Sequence, residues 1–187
     1  MKIRNFKKSD FTSVKSIYQQ GIDTGNATFQ KKAKGWNEWN SSFLTTCRIV
    51  AELNDEVVGW AVLSAISNSC VYNGVAEVSI YIAKNYANNG IGNSLLSELI
   101  STSENEGIWT LQAGIFPENE ASIAIHFKNG FEKIGIRKNL GKLNDEWRDV
   151  LFLERRSKIV GIWKKYFKWR RIIMAGFLLL KRFLCFW

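Results

Sequence analysis

A glutamate inside an apolar run, two glycines one residue apart and a lone histidine are the residues whose types and spacing could do chemistry. The run is VAEVSIYIA, and strand side chains alternate between two faces. Ala76, Val78, Ile80 and Ile82 then share one wholly apolar face, and Glu77, Ser79 and Tyr81 share the other. Burying an unpaired carboxylate is costly, so Glu77 must face water, a partner or a cleft. An exposed face of an antiparallel sheet meets that condition; so does a cleft, where apolar walls would raise the carboxylate pKa toward that of a general base. Gly90 and Gly92 in NNGIG stand between this strand and a helical pattern. The first amides of a helix have no internal partner and favour anions, and glycines would remove the β-carbons that block a phosphate; an ordinary turn or cap carries the same pattern. Asn119, Ser122 and His126 form a polar stripe on a later helix. A single histidine there serves as a structural hydrogen bonder or as a catalyst.

The elements that must position these residues follow from periodicity. KIRNF reads as a strand, and Ser9 or Asp10 caps a helix to about Gln20 with Val14, Ile17 and Tyr18 inward. WNEWNSSFL predicts a short helix burying Trp36, Trp39 and Phe43. RIVAEL, the turn NDE and VVGWAVLSAI predict a hairpin. Ile91, Leu95, Leu96, Leu99 and Ile100 form an amphipathic stripe. WTLQAGIF is a strand, Pro117 opens a helix that stops at Gly130, and FEKIGIRKN and WRDVLFLERR close as two strands. The fold class is α+β: a mostly antiparallel, mixed sheet with helices on both faces and a parallel neighbour where strand, helix and strand follow one another.

Composition narrows the function classes. The 187 residues amount to one domain, with a formal net charge of +9. Residues 162–187 hold seven of the 26 basic side chains and no acid, leaving 19 basic against 17 acidic, a net of +2, over residues 1–161. The basic balance therefore describes a tail, and no nucleic-acid partner is expected. Cys47, Cys70 and Cys185 are an odd set at no metal spacing, so neither a disulfide framework nor a metal site is expected. The N-terminus lacks the apolar stretch of a signal peptide, and a cytoplasmic location is expected.

The stretches GNATF, VAELNDEVVGWAVLS, YNGVAEVSIYIA, NNGIGNSLLSELI, GIWTLQAGIFPENEASIAIH, NGFEKIG and WRDVLFLERRS together resemble the GNAT superfamily of acetyl-CoA-dependent N-acetyltransferases. The similarity extends to its phosphinothricin and methionine sulfoximine acetyltransferase-like branch and covers residues 1–161. It implies a partly split sheet with acetyl-CoA, a cosubstrate, wedged between splayed strands, and no metal. It implies that Ile80, Tyr81 and Ile82 pair with the pantetheine amides, that Asn88, Asn89, Gly90, Ile91, Gly92 and Asn93 hold the pyrophosphate, and that Asn119 contacts the coenzyme. Glu77 matches the family's general base, and His126 or Tyr81 would assist the leaving thiolate. Phe29 and Tyr72 match substrate-binding positions. The implied activity is acetylation of a primary amine on a small amino acid or analogue, by direct attack. Acetylation of a peptide or protein amine, or a non-catalytic acyl-CoA-binding module held at a membrane by its tail, are the alternatives.

Two departures stand out. Where the family carries arginine or glutamine and further basic residues before its glycines, this chain has Ala87, Asn88 and Asn89. Where the branch often has an arginine suited to a substrate carboxylate, it has Ser69, which leaves Arg48 and Arg148 as candidates for an acid group. The tail has no counterpart in the family. Its longest apolar run, Ile172–Leu180, is nine residues and too short to span a bilayer. Basic residues interleaved with Trp and Phe suit peripheral contact with an anionic membrane, or docking on the domain or on a homodimer partner.

Overall fold

Runs of period two form strands, apolar stripes at helical spacing form helices, and Gly, Asn and Pro punctuate them. The computed structural model describes residues 1–162. β1 (Lys2–Asn5) leads to α1 (Phe11–Asp23) and α2 (Trp36–Ser42). The hairpin β2 (Ile49–Leu53) and β3 (Glu56–Ala65) precedes β4 (Val75–Ile82), α3 (Ile91–Asn105) and β5 (Thr110–Ile115). α4 (Glu120–Lys128), β6 (Glu132–Leu143) and β7 (Glu146–Arg156) complete the chain. The two hairpins turn on Asn54–Asp55 and Asn144–Asp145, all with positive φ, the geometry that two-residue hairpin loops favour.

The seven strands form one sheet in the order β1-β2-β3-β4-β5-β7-β6. Every neighbouring pair is antiparallel except β4 and β5, which the α3 crossover makes parallel. That parallel ladder is short: Val75 pairs with Thr110, Ala76 with Leu111 and Glu77 with Gln112. Beyond Glu77 the two strands part, so the sheet is split along its middle.

Both faces are covered. α3 buries Leu95, Leu96 and Leu99 completely against Ala61, Leu63, Ala76 and Leu111. Each such leucine contributes about 1.5–3 kcal/mol of burial. On the opposite face α1 and α2 set Val14, Ile17, Tyr18 and Trp39 against Val50, Trp60 and Val62. A third, smaller cluster of Phe116, Leu143 and Val150 with Phe29 and Phe152 lies on the β5–β7 half.

Two expectations change in detail. Asp10 stands at the N-cap of α1 but makes no side-chain cap bond. Its carboxylate instead accepts from the Lys7 amide at 2.7 Å and from Arg4 at 2.8 and 3.0 Å, so a preceding amide and a charged guanidinium, rather than the first amides of α1, hold both oxygens. α1 also runs on to Asp23 rather than ending near Gln20. The tail singled out for membrane contact lies outside the described residues apart from Ile162. Among the described residues no helix is long and apolar enough to cross a membrane.

Candidate active site

Where β4 and β5 part, a cavity of about 330 Å³ opens. Glu77 is the last residue of β4 paired with β5 and the one carboxylate among the cavity walls. Its alternation partners Ser79 and Tyr81 line the same cavity, as do Phe29, Gly114, Phe116, Asn119, Ser122, His126, Val150 and Phe152. The cleft, not an exposed sheet face, is therefore the environment of Glu77. Burial raises its pKa above the usual carboxylate range, and the Gly114 backbone N–H partly opposes that shift. Gly114 leaves room for the carboxylate: a β-carbon there would lie 3.5 Å from Glu77 Oε1 and 3.2 Å from Val150 Cγ1.

The open edge of β4 is a row of backbone groups. The Ala83 amide donates to Val58 O at 2.9 Å on the β3 side. Strand alternation then turns Tyr81 and Ser79 toward β3, and Ile82, Ile80 and Val78 toward the gap. Ile80 and Tyr81 line the cavity, while Ile82 carries the edge past it toward α3. Tyr81 stacks on Trp60 at 4.8 Å and meets Tyr18 edge-on at 4.9 Å; burial raises its phenol pKa, so it remains protonated.

At the far end stands the N-terminus of α3. Gly90 is its N-cap with φ +77°, a left-handed conformation that favours glycine, and no side chain caps the helix. Asn88 also has positive φ, and Asn88 and Asn89 are exposed. Ile91 turns its side chain into the core. The second glycine has a different role from the one its motif suggested: a β-carbon on Gly92 would lie 3.2 Å from Ile125 Cδ1 and 3.7 Å from Ile82 Cγ1. Gly92 thus lets α3 seat closely against α4 and β4, rather than clearing a β-carbon from the ligand side. Asn93 Oδ1 accepts from Asn129 Nδ2 at 3.0 Å and ties α3 to the end of α4.

α4 forms another wall. Asn119 is its N-cap: Oδ1 accepts from Ser122 N at 3.2 Å, and Nδ2 donates to Asn26 O at 3.2 Å, pinning the 24–30 loop over the cavity. His126 is 2% exposed. Its Nδ1 lies 2.7 Å from Ser122 O. A carbonyl oxygen can only accept, so Nδ1 carries the hydrogen and Nε2 presents a lone pair. That Nε2 is buried without a hydrogen-bond partner. Burial lowers the His126 pKa, with the Ser122 bond acting the other way, so the ring is neutral near pH 7.

Phe29 lies edge-on to Phe116 at 4.8 Å and forms an apolar wall. Tyr72, 47% exposed in the turn Cys70–Tyr72, stands outside the cavity lining. The two arginines considered for an acid group are already engaged. Arg48 donates to the carbonyls of Asn40, Phe43 and Leu44 and to Asn40 Oδ1. Arg148 donates to Gly25 O, Asn26 Oδ1 and Glu118. Sequence reading missed Gly114, Phe116, Val150 and Phe152, which alternate inward on β5 and β7; only the pairing of those strands beside β4 marks them. Among the described residues no cluster of side chains could hold a metal ion.

The family model described as acetyltransferase (GNAT) domain matches residues 3–152. A phosphinothricin N-acetyltransferase of Alcaligenes faecalis is 27% identical, over 82% of this chain and 81% of the relative. An L-methionine sulfoximine/L-methionine sulfone acetyltransferase of Pseudomonas aeruginosa is 25% identical, over 81% of this chain and 92% of the relative. Among solved structures, a GNAT superfamily phosphinothricin acetyltransferase from Sinorhizobium meliloti in complex with AcCoA superposes with a TM-score of 0.76 at 30% identity, over 83% of this chain and 87% of that one.

Proposed function

Because the chain belongs to the GNAT acetyltransferase family, we propose that it transfers the acetyl group of acetyl-CoA to the primary amine of a small amino acid or analogue, with Glu77 as general base. The observation that carries this reading is the Glu77 carboxylate at the crotch of the split sheet, desolvated and inside the cavity.

The residues present fit the coenzyme. Past the Glu77–Gln112 pair, the inward-facing backbone of Ile80 and Ile82 is an unpaired strand edge suited to the amides of a pantetheine arm. The uncapped amides at the start of α3 suit a pyrophosphate. Acetyl-CoA supplies the acetyl group in activated, thioester form. Glu77 takes a proton from the acceptor's ammonium, leaving the amine lone pair free to attack. The Ile80 amide offers a fixed donor for negative charge that develops at the acyl oxygen. Tyr81, held as a phenol by burial, keeps a hydrogen that it can offer to the departing sulfur as a hydrogen bond. His126 is neutral with its hydrogen on Nδ1, so its role is to accept a hydrogen bond through Nε2 and orient a bound group.

Thiol release from acetyl-CoA with a panel of amines, including phosphinothricin and methionine sulfone, tests this. Turnover of at least one amine is expected. Equal turnover by Glu77→Gln removes Glu77 from the chemistry, and coenzyme binding without turnover of any amine supports the non-catalytic alternative instead.

A further inference from the structure

We propose that Arg137 is a specificity-determining residue: it holds the acid group of the acceptor, so that the substrate class is an amine bearing a free carboxylate or similar anion a few bonds away. This rests on the reading of Glu77 given above.

Six arginines lie within residues 1–162. Five have committed partners. Arg4 pairs with Asp10 and Glu52, and Arg155 with Glu104. Arg48 and Arg148 are held as described above, and Arg156 donates to the carbonyls of Trp109, Val160 and Gly161. Arg137 alone has no hydrogen bond or ion pair with any described residue. Arg137 is exposed, but its side chain rests on an aromatic ring. Its guanidinium lies 4.3 Å from the centre of the Phe152 ring, a cation–π contact that spends none of its N–H groups on a described acceptor.

Phe152 joins this cation to the reaction centre. Its ring lines the cavity. The position that a β-carbon on Gly114 would take lies 3.8 Å from Phe152 Cε2 and 3.5 Å from Glu77 Oε1. Arg137 is opposite Val150 in the β6–β7 register, and Val150 Cγ1 is 3.2 Å from the same position. Glu77, Val150, Phe152 and Arg137 therefore follow one another across a single sheet face. Leu140, inside the register shift between Arg137 and Gly141, lines the cavity; Arg137 does not, but it stands against Phe152, which does.

Charge decides what such a row can hold. The cavity walls carry Glu77 and no lysine or arginine. An ammonium entering toward Glu77 finds its counter-ion, but an anion on the same molecule meets Phe29, Phe116 and Phe152, and the Arg148 guanidinium 4.3 Å from the Phe116 ring centre already donates to Gly25, Asn26 and Glu118. The Arg137 guanidinium resolves that, offering paired N–H donors to a carboxylate. With serine at position 69, the segment before β4 provides no such group.

The test compares wild type, Arg137→Leu and Arg137→Lys with methionine sulfone and with its carboxamide, which keeps the amine and removes the charge. For the acid, Arg137→Leu is expected to raise KM about 10- to 100-fold with kcat nearly unchanged, and Arg137→Lys to recover part of the loss. For the carboxamide, the three proteins are expected to match. Equal losses on both acceptors, or no loss on the acid, overturn the assignment. If no amine is turned over, the Glu77 reading fails on its own. Calorimetric binding of the acid and the carboxamide then still decides Arg137: wild type and Arg137→Leu with the same preference between them would overturn it.

Discussion

The two ends of the gap between β4 and β5 are built from different materials. At the Glu77 end the candidate groups, apart from the Ile80 amide, are side chains, and each is packed: the carboxylate beside Gly114, Tyr81 on Trp60, His126 against Phe131 at 4.8 Å. At the Gly90 end the groups proposed to meet the phosphates are backbone amides on an exposed loop, and Ala87, Asn88 and Asn89 add no charge. The first end depends on identity and protonation. The second tolerates sequence change provided that the helix start keeps its shape, which is why a loop without basic residues still fits the family's architecture.

The sharpest way to break this contrast is Glu77→Gln. Loss of a placed base costs about 10²- to 10⁴-fold in rate, so kcat/KM is expected to fall by that order while acetyl-CoA affinity, measured by titration, stays put. In wild type the rate should climb as pH rises through the elevated Glu77 pKa and level off above it, and the variant should lack that limb. A comparable fall in coenzyme affinity would show that the two ends are not separate.

Ala87→Arg probes the other end. A guanidinium added beside the amides should tighten acetyl-CoA about 10- to 100-fold at low salt, with the gain shrinking as ionic strength rises. kcat should be little changed. Affinity that does not move would mean that the phosphates do not meet this loop.

Smaller effects concern stability. Gly90→Ala forces a β-carbon into a left-handed backbone at φ +77°, a cost of about 1–2 kcal/mol. Thermal unfolding should drop by a few degrees, about 2–4 °C for each kcal/mol. Glu77→Gln should move the opposite way. A folded-state pKa above the unfolded one means that stability is lost as pH rises from the ordinary carboxylate range through the raised value. The uncharged variant escapes that loss, so near neutral pH it should melt higher than wild type. His126 gives the mirror image: its depressed pKa predicts stability that is intact above about 6.5 and declines as pH falls below it, because only the unfolded chain gains the proton there. Urea unfolding from pH 7.5 to 5.5 reads this, and His126→Gln should flatten the decline.

The uneven legibility of the two ends has the same origin. Alternation in 75–82 was enough to put Glu77, Ser79 and Tyr81 on one face, because strand period is a local property. The leucine stripe of α3 was legible for the same reason. What could not be read were positions fixed by neighbours distant in sequence. Gly92 matches a ligand-loop pattern, yet its reason is contact with Ile125 and Ile82. Arg48 and Arg148 look available in sequence but are consumed by carbonyls that only the tertiary fold delivers. Asp10 occupies a cap position but answers to Arg4 and Lys7. The inward residues of β5 and β7 become walls only once those strands pair beside β4.

The split itself has a consequence for the company this protein can keep. A strand edge with unsatisfied amides usually invites another sheet to dock, and proteins blunt such edges to avoid aggregation. Here the unpaired edge of β4 faces inward, screened by β5 on one flank and by α4 across the opening. A flat sheet is too broad to enter that slot, whereas a single slender, amide-bearing arm is not. The shape that keeps other sheets off this one edge is thus also the first filter on what the slot admits.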